Sequence, residues 1–136
     1  MSAPQPPGSV GWIDLTVPDA IGVRDFYQAV VGWTVQPLNM KDGVTEYEDF
    51  VMQVPSDGRG VTGICHARGS NASVPPAWLI YIMVADLDAS IAACTERGGK
   101  VMNGPRTMGK ARFCIIQDPA GAYAGLYDPG PQEASE

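Results

Sequence analysis

At 136 residues the chain has the length of one compact domain, or of two small modules sharing a core, and can bury a hydrophobic interior. Apolar residues make up 45% and charged residues 18%, which excludes disorder over most of the length, and no apolar run approaches the roughly 18 residues that cross a bilayer. A net charge of -6 disfavours nucleic acid, whose binding rests on Lys and Arg neutralising phosphates, and directs attention to a small molecule or a second copy of the chain.

The opening MSAPQPPGSV has no basic segment followed by an apolar core, so residues 1–8 read as a flexible lead, with the cytoplasm as the expected compartment. GWIDLTV, residues 11–17, alternates as a strand does: Ile13, Leu15 and Val17 fall on one side, Trp12, Asp14 and Thr16 on the other. In PDAIGVRDFYQAVVGW, Asp19 caps a helix whose Val23, Phe26, Tyr27, Val30 and Val31 form one apolar stripe, and Gly32 ends it. Strand-like segments follow at 33–38, 45–54 and 60–66, and the polar stretch 67–77, rich in Ser and Pro, reads as a linker. WLIYIMVADLDASIAACTERGGKV then repeats the plan. Ile80, Ile82 and Val84 alternate, Asp86 caps, Leu87, Ile91 and Cys94 form the helical stripe, and Gly98 and Gly99 close it. Three more strand-like segments lie at 100–103, 111–117 and 122–127, and residues 130–136 read as a flexible tail.

The two copies superpose at a constant offset. Ile13 and Ile80, Val17 and Val84, Asp19 and Asp86, and Gly32 and Gly99 are each 67 apart. The organisation is a βαβββ module over 9–66, the linker, and a second βαβββ module over 78–129. Each module calls for a helix on one face of a small antiparallel sheet. Together they predict an α+β fold in which two tandem modules form a curved mixed sheet around a cleft, with the helices outside. Ile13, Leu15 and Val17 then pack beneath the first helix, while Trp12, Asp14 and Thr16 face the cleft.

This plan, with DFYQAVVGW (25–33), VADLDASIAACTERGGKV (84–101), GPRTM (104–108) and RFCIIQDPAGAYAGLYDP (112–129), resembles the vicinal-oxygen-chelate superfamily over residues 9–129. That superfamily includes glyoxalase I, bleomycin-resistance proteins and extradiol dioxygenases. The resemblance implies homodimers. In metal-dependent members it also implies His, Gln or Glu ligands from the first and fourth strands of each module, converging on one divalent ion that polarises two neighbouring substrate oxygens. Carried onto this chain, those positions fall on Trp12, Gly63, Leu79 and Gly125, none of which ligates a metal. A shift of one residue either way restores no site. The resemblance therefore implies a pocket without the family metal; no cofactor is predicted, and a divalent metal held at other positions stays open. Trp12 either lines this cleft or plugs it.

Among chemistry-bearing residues, His66 is the only histidine, and its ordinary pKa near neutrality suits a base, against an idle role at a strand end. Cys65 shares the parity of Gly63 and becomes nucleophilic only beside a cation; a small core residue is the competing role. Cys65, Cys94 and Cys114 lie outside any CxxC spacing and read as reduced thiols. Asp14 needs a donor such as Arg112 or a ligand to stay ionised, and otherwise is a structural acceptor. Tyr81 and Tyr127 share the cleft parity of Leu79 and Gly125, and with Trp12 suit a flat or amphipathic molecule; an aromatic core is the alternative. In TEYEDF, alternation puts Glu46, Glu48 and Phe50 on one face and Tyr47, Asp49 and Val51 on the other. The expected ligand-contacting set is Trp12, Asp14, Tyr47, Gly63, Cys65, His66, Leu79, Tyr81, Gly125 and Tyr127.

The expected function is that of a glyoxalase/bleomycin-resistance-like protein binding a small organic molecule without metal. The alternatives are a lyase, isomerase or dioxygenase-like enzyme using a relocated metal or an Asp, Tyr or His site, and a protein whose purpose is dimerisation itself.

Overall fold

The computed structural model describes residues 5–131. The start of the expected lead, 1–4, and most of the expected tail, 132–136, lie outside the described residues. The chain divides into two compact units, one spanning Trp12–Trp78 and one combining Leu79 onward with residues up to Gly11.

The first unit is built from β1 (Val10–Val17), α1 (Ala20–Val31), β2 (Thr34–Asp42), β3 (Thr45–Gln53) and β4 (Gly60–His66). Its strands lie in the order β2, β3, β4, β1. The β2–β3 and β3–β4 pairs are antiparallel and β1–β4 is parallel, so this sheet is mixed where an antiparallel one was expected. The direction follows from the connections: the helix returns the chain to the start of β1, and two hairpins then restore the direction of β1 in β4. α1 begins where Asp19 accepts a 2.9 Å bond from the Gly22 N–H, and it ends at Gly32, whose φ of +81° suits glycine.

The core beneath α1 contains Leu15, Val17, Ala20, Phe50, Met52 and Ile64, with Val23, Tyr27, Trp33 and Val35 packed against it. Two expectations are corrected here. Phe26 and Val30 are 56% and 60% exposed, and Val31 is exposed as well. The buried stripe is narrower, running Ala20, Val23, Tyr27, because residues 26 and 30 stand on the adjoining helical face. Ile13 does not pack in that core; it lines a shallow apolar groove of about 230 Å³ with Trp33, Val61, Thr62 and Trp78. β2 also runs four residues past the expected end, because its hairpin with β3 closes at Asp42 opposite Thr45 through Gly43, with φ +64°.

The second unit contains β5 (Trp78–Met83, from Leu79 onward), α2 (Leu87–Glu96), β6 (Lys100–Met108), β7 (Ala111–Gln117) and β8 (Tyr123–Asp128). The order β5, β8, β7, β6 repeats the plan, with β5–β8 parallel and the other pairs antiparallel. Gly8 and Ser9 exchange backbone hydrogen bonds of 2.7 and 2.8 Å with Met83. Asp86 caps α2 by accepting from the Ala89 N–H at 3.2 Å. The left-handed residue after α2 is Gly98, one position before the equivalent of Gly32. Leu87, Cys114 and Leu126 form the core under α2, supported by Ile82, Val84, Ile91, Val101 and Ile116. Within 67–77, Gly69–Asn71 forms a turn of 3-10 helix and Val74 is buried. No helix among the described residues is long and apolar enough to cross a membrane.

Candidate functional site

In the first unit the face turned away from α1 carries the side chains that alternate with the core. The β1–β4 register pairs Asp14 with Gly63, and the β3–β4 register pairs Val51 with Gly63, so Asp14, Cys65 and Asp49 meet there. The Trp12 Nε1–H donates to Asp14 Oδ1 at 3.2 Å and the Cys65 thiol donates to Oδ2 at 3.6 Å. A Cβ built on Gly63 would collide with Asp14 Oδ1, so the carboxylate occupies the space that a side chain at 63 would take.

Burial pushes the Asp14 pKa up to about 6, helped by the charge of Asp49 and opposed by the Trp12 and Cys65 hydrogen bonds. Asp49 is 3% exposed and is also raised by burial, although it accepts the His66 backbone N–H at 2.9 Å. Burial, and then the two carboxylates, push the Cys65 thiol far up, the reverse of what a nucleophile needs. Arg112 is not the partner of Asp14; it makes two 3.0 Å hydrogen bonds to Asp88.

His66 is half-buried, set edge-on to Tyr47 at 5.6 Å and tilted against Phe50 at 6.1 Å. The Arg68 guanidinium lies 4.3 Å from the Tyr47 ring centre and 3.5 Å from Asp42. Tyr47 also lines a shallow pocket of about 220 Å³ with Asn39, Glu46 and Glu48.

In the second unit Tyr81 stands opposite Gly125, and a Cβ on Gly125 would collide with the Tyr81 ring. Asp14 and Tyr81 are 67 apart, so both first strands lay the equivalent side chain over a fourth-strand glycine. Tyr127 stacks on Phe113 at 6.3 Å with a 20° interplanar angle, and the Arg106 guanidinium lies 4.7 Å from the Phe113 centre. Leu79, expected to contact a ligand, is completely buried and presents no surface. Sequence reasoning assigned no role to Asp49, Arg68, Arg106 or Phe113. Alternation did place Asp49 beside Tyr47; nothing local announced the other three.

A divalent metal does not fit the family positions. Trp12, Leu79, Gly63 and Gly125 offer no donor, and Asp14 and Tyr81 fill the space at the two glycines. Among the described residues no group of three or more His, Cys, Asp or Glu side chains is placed to hold one.

Residues 9–124 match the family described as the Glyoxalase/Bleomycin resistance protein/Dioxygenase superfamily. The chain belongs to this superfamily. It is 37% identical over 117 residues to the anthracycline biosynthesis protein DnrV of Streptomyces peucetius, covering 85% of this chain and 40% of that protein. It is 31% identical over 122 residues to CFP32 of Mycobacterium tuberculosis, described as "Putative glyoxylase", covering 88% of this chain and 45% of that protein. The chain thus spans less than half the length of these curated relatives. Among solved structures, methylmalonyl-CoA epimerase of Streptomyces coelicolor superposes with a TM-score of 0.54 at 18% identity, covering 93% of this chain and all of that one, a likeness of fold alone. The superfamily assignment agrees with the βαβββ repeat of both units.

Proposed function

We propose that this superfamily member binds a small aromatic or amphipathic organic molecule through its side chains, without a metal at the family positions. The observation that carries the reading is the paired occupancy of those positions: Asp14 over Gly63 in one unit and Tyr81 over Gly125 in the other. Half-buried aromatic rings support it, Trp12 and Tyr47 in the first unit and Tyr81 and Tyr127 in the second. The name of DnrV makes an anthracycline a sensible first probe. Binding by a cytoplasmic homodimer is part of the same proposal, and sedimentation velocity tests the dimer.

One observation favours a second reading. A carboxyl titrating near neutrality suits proton transfer, so Asp14 at about 6 is the group through which a lyase or isomerase activity would run.

The test is a tryptophan fluorescence titration with an anthracycline and smaller arenes, on wild type and Trp12→Phe, alongside elemental analysis after exposure to divalent metals. Binding reported through Trp12, with no stoichiometric metal retained, is the expected result. A panel without responders refutes binding, and near-stoichiometric metal refutes the metal-free site.

A further inference from the structure

We infer that Arg106 is a ligand-binding residue that gives the second unit a preference for arenes carrying an anionic oxygen, a carboxylate or a phenolate. The inference rests on the binding reading above and narrows its ligand class.

The case begins with the backbone. Along a regular strand Arg106 would fall on the opposite face from Asn103. In β6, however, three steps from Asn103 to Arg106 are matched by two from Ile115 to Phe113, so one extra residue is inserted. Such a bulge re-aims the side chain that follows it. An equal insertion between Val101 and Asn103 precedes it, so the two together set Arg106 opposite Phe113, on the face away from Val101 and from the α2 side where Cys114 and Ile116 lie. Gly104 makes the bulge possible: its φ is +90°, and a Cβ there would stand 3.0 Å from the Phe113 carbonyl oxygen and 3.2 Å from the Cys114 Cα.

The result is a cation set among rings. The guanidinium sits over Phe113, which stacks on Tyr127, and all three keep part of their surface exposed. Burial lowers the Arg106 pKa, with Tyr81 opposing, yet a guanidinium stays protonated at neutral pH. Cation–π contact engages the face of a guanidinium, whereas carboxylates and phenolates bind its in-plane N–H donors, so one group can serve both a ring and an anion. The neighbouring rings supply a surface for the arene of the same ligand. In a chain of net charge -6 the overall field repels anions, so a preference for them must come from a local cation such as this one.

Titration calorimetry of the full chain with naphthoate and with its uncharged amide tests the inference. Wild type is expected to bind naphthoate about tenfold tighter than the amide. Arg106→Gln is expected to lose that preference while keeping its amide affinity, and Arg106→Lys, which retains charge without the planar fork, to keep part of it. Equal affinities in wild type, or a preference that survives in Arg106→Gln, overturns the inference. A parallel loss of both probes in both variants also overturns it, since that is what a purely structural role gives. Amide binding without charge preference overturns this inference alone; no binding of either probe or of an anthracycline overturns the binding reading with it.

Discussion

Asp14→Asn isolates the electrostatic cost of the first unit's site. The folded state raises the Asp14 pKa from 3.8 to about 6, so it holds the proton more tightly than the unfolded chain does. The carboxyl therefore imposes no penalty below the unfolded value, and stability is lost as pH rises from there through the folded value. A shift of about two units corresponds to about 3 kcal/mol at full ionisation. Asn carries no proton to lose, but its amide NH2 must face either the Trp12 or the Cys65 donor, at a cost of about 1 kcal/mol. The variant is thus expected to be about 2 kcal/mol more stable than wild type near pH 8 and about 1 kcal/mol less stable near pH 3. Asp49, raised in the same direction, leaves a residual slope in both proteins. Urea unfolding followed by far-UV circular dichroism across that range measures the difference without relying on Trp12. Equal pH slopes for variant and wild type, or a variant less stable near pH 8, would refute the reasoning.

Three further outcomes follow from the same geometry. Gly125→Ala is expected to cost about 1–3 kcal/mol by driving a methyl into the Tyr81 ring, and combining it with Tyr81→Ala should recover most of that cost in a thermal-unfolding double-mutant cycle. Gly104→Ala should cost roughly 1–3 kcal/mol because alanine resists a φ of +90°, and amide shifts in nuclear magnetic resonance spectra should centre on Arg106 and Phe113. The indole N–H of Trp12 bonds a carboxylate that titrates at about 6, so intrinsic fluorescence should show a transition at that pH, lost in Trp12→Phe and in Asp14→Asn; a transition surviving both changes would place the titrating group elsewhere.

The elements were legible in sequence because their signals are local and doubled. Asp19 and Asp86 cap helices at the same offset that relates the two alternating strands; strand parity put Trp12 and Asp14 on one face, and the family resemblance brought Gly63 to it. Register then follows from parity, which is why Tyr81 meets Gly125 as Asp14 meets Gly63. Less local features stayed hidden. An amphipathic stripe does not say where its buried edge lies, so Phe26 and Val30 read as core while Ala20 did not. The burial of Leu79 and the hold of the His66 backbone on Asp49 depend on which segments meet, and alternation does not announce the two insertions in β6 that set Asn103 opposite Ile115 and Arg106 opposite Phe113.

The doubled arrangement also bears on how the family metal position came to be filled. A glycine on the fourth strand removes a donor, but it also opens space against the sheet, and in both units the first-strand side chain two residues past the family ligand position takes that space. One unit fills it with a carboxyl whose proton is held to near neutrality, the other with a phenol ring beside a guanidinium stacked on Phe113. The replacements fill equivalent space, one with an ionisable carboxyl and the other with a neutral phenol near the Arg106 cation, so the two units offer different chemistry from equivalent positions. Restoring a donor at Gly63 or Gly125 alone would not rebuild a metal site, because the new side chain would meet Asp14 or the Tyr81 ring before it met an ion.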